Sequence, residues 1–152
     1  MNLTPNFTLE EFVRTSHRNI DNDLPHDLYG NATRTCEMLE RIRSFLSELA
    51  GRDIPITISS GYRCLKLNEA VGSKSTSDHV RAFAADWTAK AFGTPYEVCK
   101  ALEPNVTKLG IGQLIHEFGS WIHTGVPVPI NAVNRIITIS KSGTEVGVQV
   151  IR

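Results

Sequence analysis

The sequence has no apolar run approaching the roughly 18 residues needed to cross a bilayer, which excludes a membrane-spanning helix. It has no excess of either charge. Its 16 Lys and Arg balance 16 Asp and Glu, and an isoelectric point near 7.0 lacks the basic footprint expected of a nucleic-acid binder. The opening residues Met1 to Asn6 carry neither a basic nor an apolar segment, so no secretory signal is expected. Low-complexity tracts and internal repeats are missing as well. Cysteine is scarce: Cys36, Cys64 and Cys99 form an odd set with long gaps and no CxxC pair. Neither a disulfide framework nor a thiolate zinc site is expected from them, and free thiols in a reducing compartment are. Cys64 has a cationic neighbour, Arg63, that would favour a nucleophile, yet no histidine stands in an evident partner position.

What remains is an ordinary globular composition. The 152 residues are 41% hydrophobic and 21% charged, with a mean hydropathy of -0.14, and that length suits one domain, residues 1–152, with its own core. Thr8-Leu9-Glu10-Glu11 has the form of a capping box, with Phe7 and Phe12 placed as a hydrophobic staple for a short helix. Beyond Pro25, the residues Cys36, Leu39, Ile42, Phe45, Leu46 and Leu49 recur at helical spacing, and Gly51 supplies a stop. Ile54 to Ile58 is short and β-branched, a strand whose Pro55 places it at an edge. Leu65 to Val71 reads as a helical turn closed by Gly72, Ser73 to Asp78 as a polar loop, and Phe83 to Trp87 as a buried strand. Thr94-Pro95-Tyr96-Glu97 opens a further helix that runs to about Leu102 and stops at Pro104. Strand signals follow at Gln113–Phe118, Trp121–Val126, Arg135–Ile139 and Val146–Ile151, with Gly119-Ser120 and Lys141 to Thr144 as hairpin loops. The segment from Pro127 to Arg152 reads as a C-terminal hairpin that completes the sheet. Helices first and antiparallel strands later define an α+β fold, with N-terminal helices packed on a small antiparallel sheet.

His79 and His123 fall near strand ends, and Asp86 lies close to the first. Two imidazoles and a carboxylate are a donor set that suits zinc, and three protein ligands leave a fourth position for water. Spacing alone is weak support. His79 and Asp86 are seven residues apart, which on one regular strand would put them on opposite faces, so they converge only where the chain turns between them. On composition alone, isolated histidines are more often surface or satisfied core groups.

The order of segments changes that balance. Ser59-Ser60-Gly61-Tyr62-Arg63, Leu67-Asn68, Val71-Gly72, Ser77-Asp78-His79, Ala84-Ala85-Asp86 and Trp121-Ile122-His123 occur in sequence. This series resembles the M15 family of zinc peptidases, the group of D-Ala-D-Ala carboxypeptidases and phage endolysins, and is most similar to its short phage-type branch. The likeness covers about Phe7 to Thr124. It implies a hedgehog/D-Ala-D-Ala peptidase-like fold with His79, Asp86 and His123 as ligands of a Zn2+ ion. It also implies that Arg63 holds a peptide carboxylate, a task suited to a permanently charged, bidentate guanidinium, and that Ser77 binds substrate or simply shapes its loop. Asp78 is expected behind the site or facing solvent. Many relatives carry a Glu three residues before the last histidine, where this chain has Ser120. Glu117, six before it, is the expected general base. A two-residue Gly119-Ser120 turn would instead set His116 opposite His123, as base or as a stabiliser of the oxyanion, whereas a three-residue Gly119-Ser120-Trp121 loop would set Glu117 there. Ala82 stands where the family often has glycine, a strained substitution if the backbone has positive φ. Trp87 and Trp121 are expected to pack beside the ligands.

The function implied by the resemblance is hydrolysis of a peptide bond in the peptidoglycan stem peptide, of the D-Ala-D-Ala carboxypeptidase or L-Ala-D-Glu endopeptidase type. The expected protein is a monomer made in the host cytoplasm that acts on the bacterial cell wall, with no nucleic-acid or membrane partner. The alternatives are a zinc-containing peptide- or cell-wall-binding module without turnover, since hedgehog signalling domains share the ligand arrangement, and a structural zinc domain of a phage tail.

Overall fold

The computed structural model describes residues 1–128 and 135–152. Two short strands open the chain, β1 (Asn2–Thr4) and β2 (Phe7–Thr8), followed by helix α1 (Leu9–Val13). The Thr8 hydroxyl accepts from the Glu11 N–H at 3.1 Å while the Glu11 carboxylate accepts from the Thr8 N–H at 3.3 Å, so the capping box forms as read. The β1–β2 pairing had no counterpart in the sequence reading. A 3-10 turn at His26–Leu28 leads into α2 (Tyr29–Ala50). Its buried face is Ala32, Thr35, Cys36, Met38, Leu39, Ile42 and Leu46. Each fully buried Leu or Ile on that face contributes about 1.5–3 kcal/mol of burial. Leu49, expected in the stripe, is instead 58% exposed. Gly51 ends the helix in the left-handed region at φ 68°, where its N–H and that of Arg52 satisfy the carbonyls of Glu48 and Ser47.

Strand β3 (Thr57–Ser60), helix α3 (Leu65–Ala70), strand β4 (Ala84–Thr88) and helix α4 (Pro95–Leu102) follow. Ladder pairing starts at Thr57, two residues after Pro55, which brings no N–H to the sheet. Thr94 and Glu97 close a second capping box at 3.2 and 3.1 Å. Strands β5 (Gln113–Glu117), β6 (Trp121–Gly125), β7 (Arg135–Ser140) and β8 (Gly143–Val146) complete a six-stranded sheet ordered β3-β4-β6-β5-β7-β8. The fold is α+β, a single domain whose core lies between α2, α4 and the inner face of the sheet.

The sheet is not wholly antiparallel: β7 joins β5 in parallel, Gln113 opposite Arg135 and Glu117 opposite Ile139. The C-terminal hairpin does complete the sheet, although residues 129–134 of the segment read that way lie outside the described residues. Its last strand is earlier than expected. Ser140 pairs with Gly143 across a two-residue Lys141-Ser142 turn, so β8 begins at Gly143 and ends at Val146. Gly147, at φ 79°, turns the chain away. Val148 and Gln149 then bond to the Glu103 carboxylate and the Thr138 hydroxyl instead of extending a ladder. No described helix is long and apolar enough to cross a membrane.

Candidate metal centre

His79 sits in a 3-10 turn, Asp78–Arg81, placed just before β4. The Ser77 hydroxyl caps that turn by accepting from the His79 N–H at 3.3 Å. Ala82 ends it in the left-handed region at φ 61°, which reverses the chain between His79 and Asp86. The strain expected of alanine at this position is present, and its carbonyl is held by the Thr35 hydroxyl at 2.7 Å. Asp78 is buried and paired with Arg81 at 2.6 Å, not solvent-facing.

The sheet register supplies the other donors. Asp86 in β4 lies directly opposite His123 in β6, so both project from one face. His79 Nε2 is 3.3 Å from Asp86 Oδ1, and His123 Nδ1 is 2.9 Å from the same oxygen. The two rings meet edge to face with centroids 5.1 Å apart. One donor atom from each of His79, Asp86 and His123 falls within 4.8 Å of the others, so the three residues can hold a metal ion.

The surroundings fit a cation. His79 Nδ1 lies 2.6 Å from the Gly61 carbonyl, which can only accept, so Nδ1 carries the proton and a neutral ring leaves Nε2 as a free lone pair. That Nε2 is buried and has no hydrogen-bond partner. A lone pair aimed at a carboxylate is repulsive until a cation sits between them. Burial alone would raise the Asp86 carboxyl; when His79 and His123 carry protons toward it in place of a metal ion, the charge of His79 and the hydrogen bonds of both rings outweigh burial and hold Asp86 well below the usual carboxylate range.

Two charged groups border the three donors. Glu117, at the end of β5, places Oε1 3.8 Å from His123 Nδ1. Burial and the nearby Asp86 charge push its carboxyl above the ordinary value, against the pull of His123 and Arg63. Arg63 follows β3, where its N–H donates to the His79 carbonyl at 3.0 Å. Its guanidinium feels both Asp86 and Glu117 while burial works against its charge. Its Nε is buried without a partner, and it makes no ion pair within 4.0 Å among the described residues.

The hairpin between β5 and β6 decides which neighbour of the loop reaches the site. Glu117 pairs with Trp121 across a three-residue loop, Phe118-Gly119-Ser120, and Ile115 pairs with His123. Phe118 and Gly119 both have positive φ, 55° and 66°, the signature of a type I′ turn, closed by the Ser120 N–H on the Glu117 carbonyl at 3.0 Å. Neither expected loop is the one formed. Glu117 still shares the face of His123, diagonally. His116 does not: paired with Ile122, it points to the opposite face, where Nδ1 meets the Gln149 carbonyl at 3.1 Å and the ring lies 5.9 Å from Tyr96. The structure therefore removes His116 from the site.

Sequence reasoning missed Gln113, whose Oε1 lies 2.9 Å from His123 Nε2, and the Gly61 carbonyl. A lone glutamine and a main-chain acceptor give no motif. The cysteines are free thiols as expected. Burial pushes Cys36 and Cys99 up to about 12, and the Cys64 sulfur caps α3 by accepting from the Leu67 N–H at 3.4 Å.

A mixed sheet packed with helices and a His-Asp-His cluster beside a half-buried carboxylate define a candidate metal-dependent hydrolase. A family model described as Peptidase M15 matches residues 5–125, most of the chain, and the chain belongs to that family. It is therefore a peptidase. Residues 63, 77, 79, 86, 113, 117 and 123 all lie inside the matched span, whereas β7 and β8 lie beyond it. No curated protein matches the chain at a significant level.

Proposed function

We propose that the chain is a zinc-dependent peptidoglycan peptidase of the phage endolysin type, hydrolysing a peptide bond of the stem peptide in the manner of a D-Ala-D-Ala carboxypeptidase or an L-Ala-D-Glu endopeptidase. The observation that carries this reading is the meeting of three donors within 4.8 Å beside a carboxylate at 3.8 Å. His79 Nε2, Asp86 Oδ1 and His123 Nδ1 would hold the ion. Zinc in such a site supplies Lewis acidity toward a carbonyl oxygen and makes water acidic enough to ionise near neutral pH.

The chain's own groups do the rest. Arg63, half-buried and without an ion pair among the described residues, binds a carboxylate of the peptide and sets the scissile bond against the donors. Glu117 takes a proton from the attacking water on its carboxylate and returns it to the departing amine, so one water is consumed and two new termini appear. Its raised proton affinity suits that exchange, because a base of ordinary carboxylate strength would hold the proton too weakly. The hydroxyl of Ser77 is engaged with the His79 N–H, so it supports the ligand loop as well as any contact with substrate.

Digestion of purified peptidoglycan followed by mass spectrometry of the muropeptides tests the proposal. New termini in the stem peptide, abolished by a chelator and restored by zinc, are the expected result. Tight binding of one zinc with no cleavage of any stem peptide would favour the binding-module reading instead.

A further inference from the structure

The site face of β5 reads Gln113, Ile115, Glu117, three alternate residues that share the sheet face of His123. Ile115 lies directly across from His123, so Gln113 and Glu117 flank the imidazole diagonally on either side. Each addresses a different ring nitrogen. Glu117 faces Nδ1 at 3.8 Å, and Gln113 Oε1 faces Nε2 at 2.9 Å. The residue opposite Gln113 in the ladder is Gly125, which brings no side chain to compete for that space.

A neutral imidazole has one N–H and one lone pair, and it coordinates a metal only through the lone pair. His123 therefore has two options. With the proton on Nδ1 it can bond to Asp86, but then the nitrogen nearest the other donors cannot act as a ligand. With the proton on Nε2, donated to the Gln113 carbonyl, Nδ1 joins His79 Nε2 and Asp86 Oδ1 around a shared point. The Gly61 carbonyl performs the matching task for His79 from the main chain, where substitution cannot remove it. At His123 the acceptor is a side chain.

We infer that Gln113 is a positioning residue of the metal centre: its side-chain carbonyl holds the Nε2–H of His123 and so presents Nδ1 as the ligand atom. This rests on the zinc-site reading above and extends it to a residue that touches neither substrate nor cation. An amide is a moderate acceptor that can also reverse and donate, so the chain has a weaker device here than the carboxylate that often backs a ligating histidine. Gln113→Glu supplies that stronger acceptor, and Gln113→Leu supplies none at similar volume.

The test is zinc affinity, measured by competition with a chromophoric chelator on the full chain and its two variants, with the thermal midpoint of each metal-free protein as the folding control. Loss of a partner behind a ligating histidine weakens binding about 10–100-fold, which is the result expected for Gln113→Leu. Gln113→Glu should bind at least as tightly as the parent. In the zinc-loaded parent labelled with nitrogen-15, His123 should show a slowly exchanging Nε2–H, and Gln113→Leu should lose it. Equal affinity in parent and Gln113→Leu, or a proton found on Nδ1 in the loaded parent, overturns the role of Gln113 while leaving the metal site standing. No zinc binding by the parent overturns both.

Discussion

Trp87→Phe perturbs a contact that ties the core to the metal centre. Trp87 is fully buried, and its indole N–H donates to the Thr124 hydroxyl at 2.9 Å, also fully buried. These residues directly follow Asp86 and His123 on paired strands, so this bond on the inner face fixes the register that sets the two donors opposite each other on the outer one. Phenylalanine removes the N–H and leaves the Thr124 hydroxyl unpaired, at a cost of about 1–3 kcal/mol. The lost ring atoms remove roughly another 1 kcal/mol of burial. The expected loss is about 2–4 kcal/mol, a fall in Tm of roughly 5–15 °C for a domain of this size. Thermal and urea denaturation of the metal-free protein read it. The companion variant Thr124→Val orphans the indole in the parent but removes the orphaned hydroxyl in Trp87→Phe. The double variant should therefore be less destabilised than the sum of the singles by about 1–2 kcal/mol. Additivity within about 0.5 kcal/mol, or a Trp87→Phe loss of that size, would refute the reasoning.

Other consequences concern the site and its hairpin. Glu117→Gln should lower kcat by about 10²–10⁴-fold while zinc content, measured by elemental analysis, stays at the parent level. Because Glu117 must be ionised to accept a proton and burial raises its pKa, activity should be full above that raised value and fall as pH drops through it. A carbon-13 NMR titration of the metal-free chain should thus place the Glu117 carboxyl above the ordinary Glu value of about 4.3. Phe118 occupies the first central position of the type I′ turn at φ 55° and is 43% exposed, where asparagine is favoured. Phe118→Asn should stabilise the chain by about 0.5–1 kcal/mol on thermal denaturation, after offsetting its lost contact with the Trp121 ring.

Local chemistry was legible in the sequence and non-local pairing was not. The Thr8 capping box, the Thr94-Pro95 helix start and the Gly51 stop follow from a few adjacent residues, and the structure forms each of them. The parallel joining of β5 to β7 depends on a connection of many residues, and no alternation within either strand specifies a neighbour's direction. The hairpin shows the limit most clearly. Gly119-Ser120 looks like the turn, yet the turn is Phe118-Gly119, because the ladder and the Phe118 N–H on the Ile139 carbonyl at 2.8 Å override the preference against phenylalanine at positive φ. That one-residue offset decides the fate of two candidates, keeping Glu117 on the face of His123 and sending His116 to the other. The ligand set itself was reached through the order of short segments, since a separation of seven positions between His79 and Asp86 has no periodic meaning until Ala82 turns the chain.

Calorimetric titration of zinc into the metal-free chain tests the central claim most directly. The account predicts one ion per chain, and loss of that binding in His79→Ala while the circular dichroism spectrum stays that of the parent. Absence of binding by the parent, or a His79→Ala variant that binds zinc as the parent does, would contradict it.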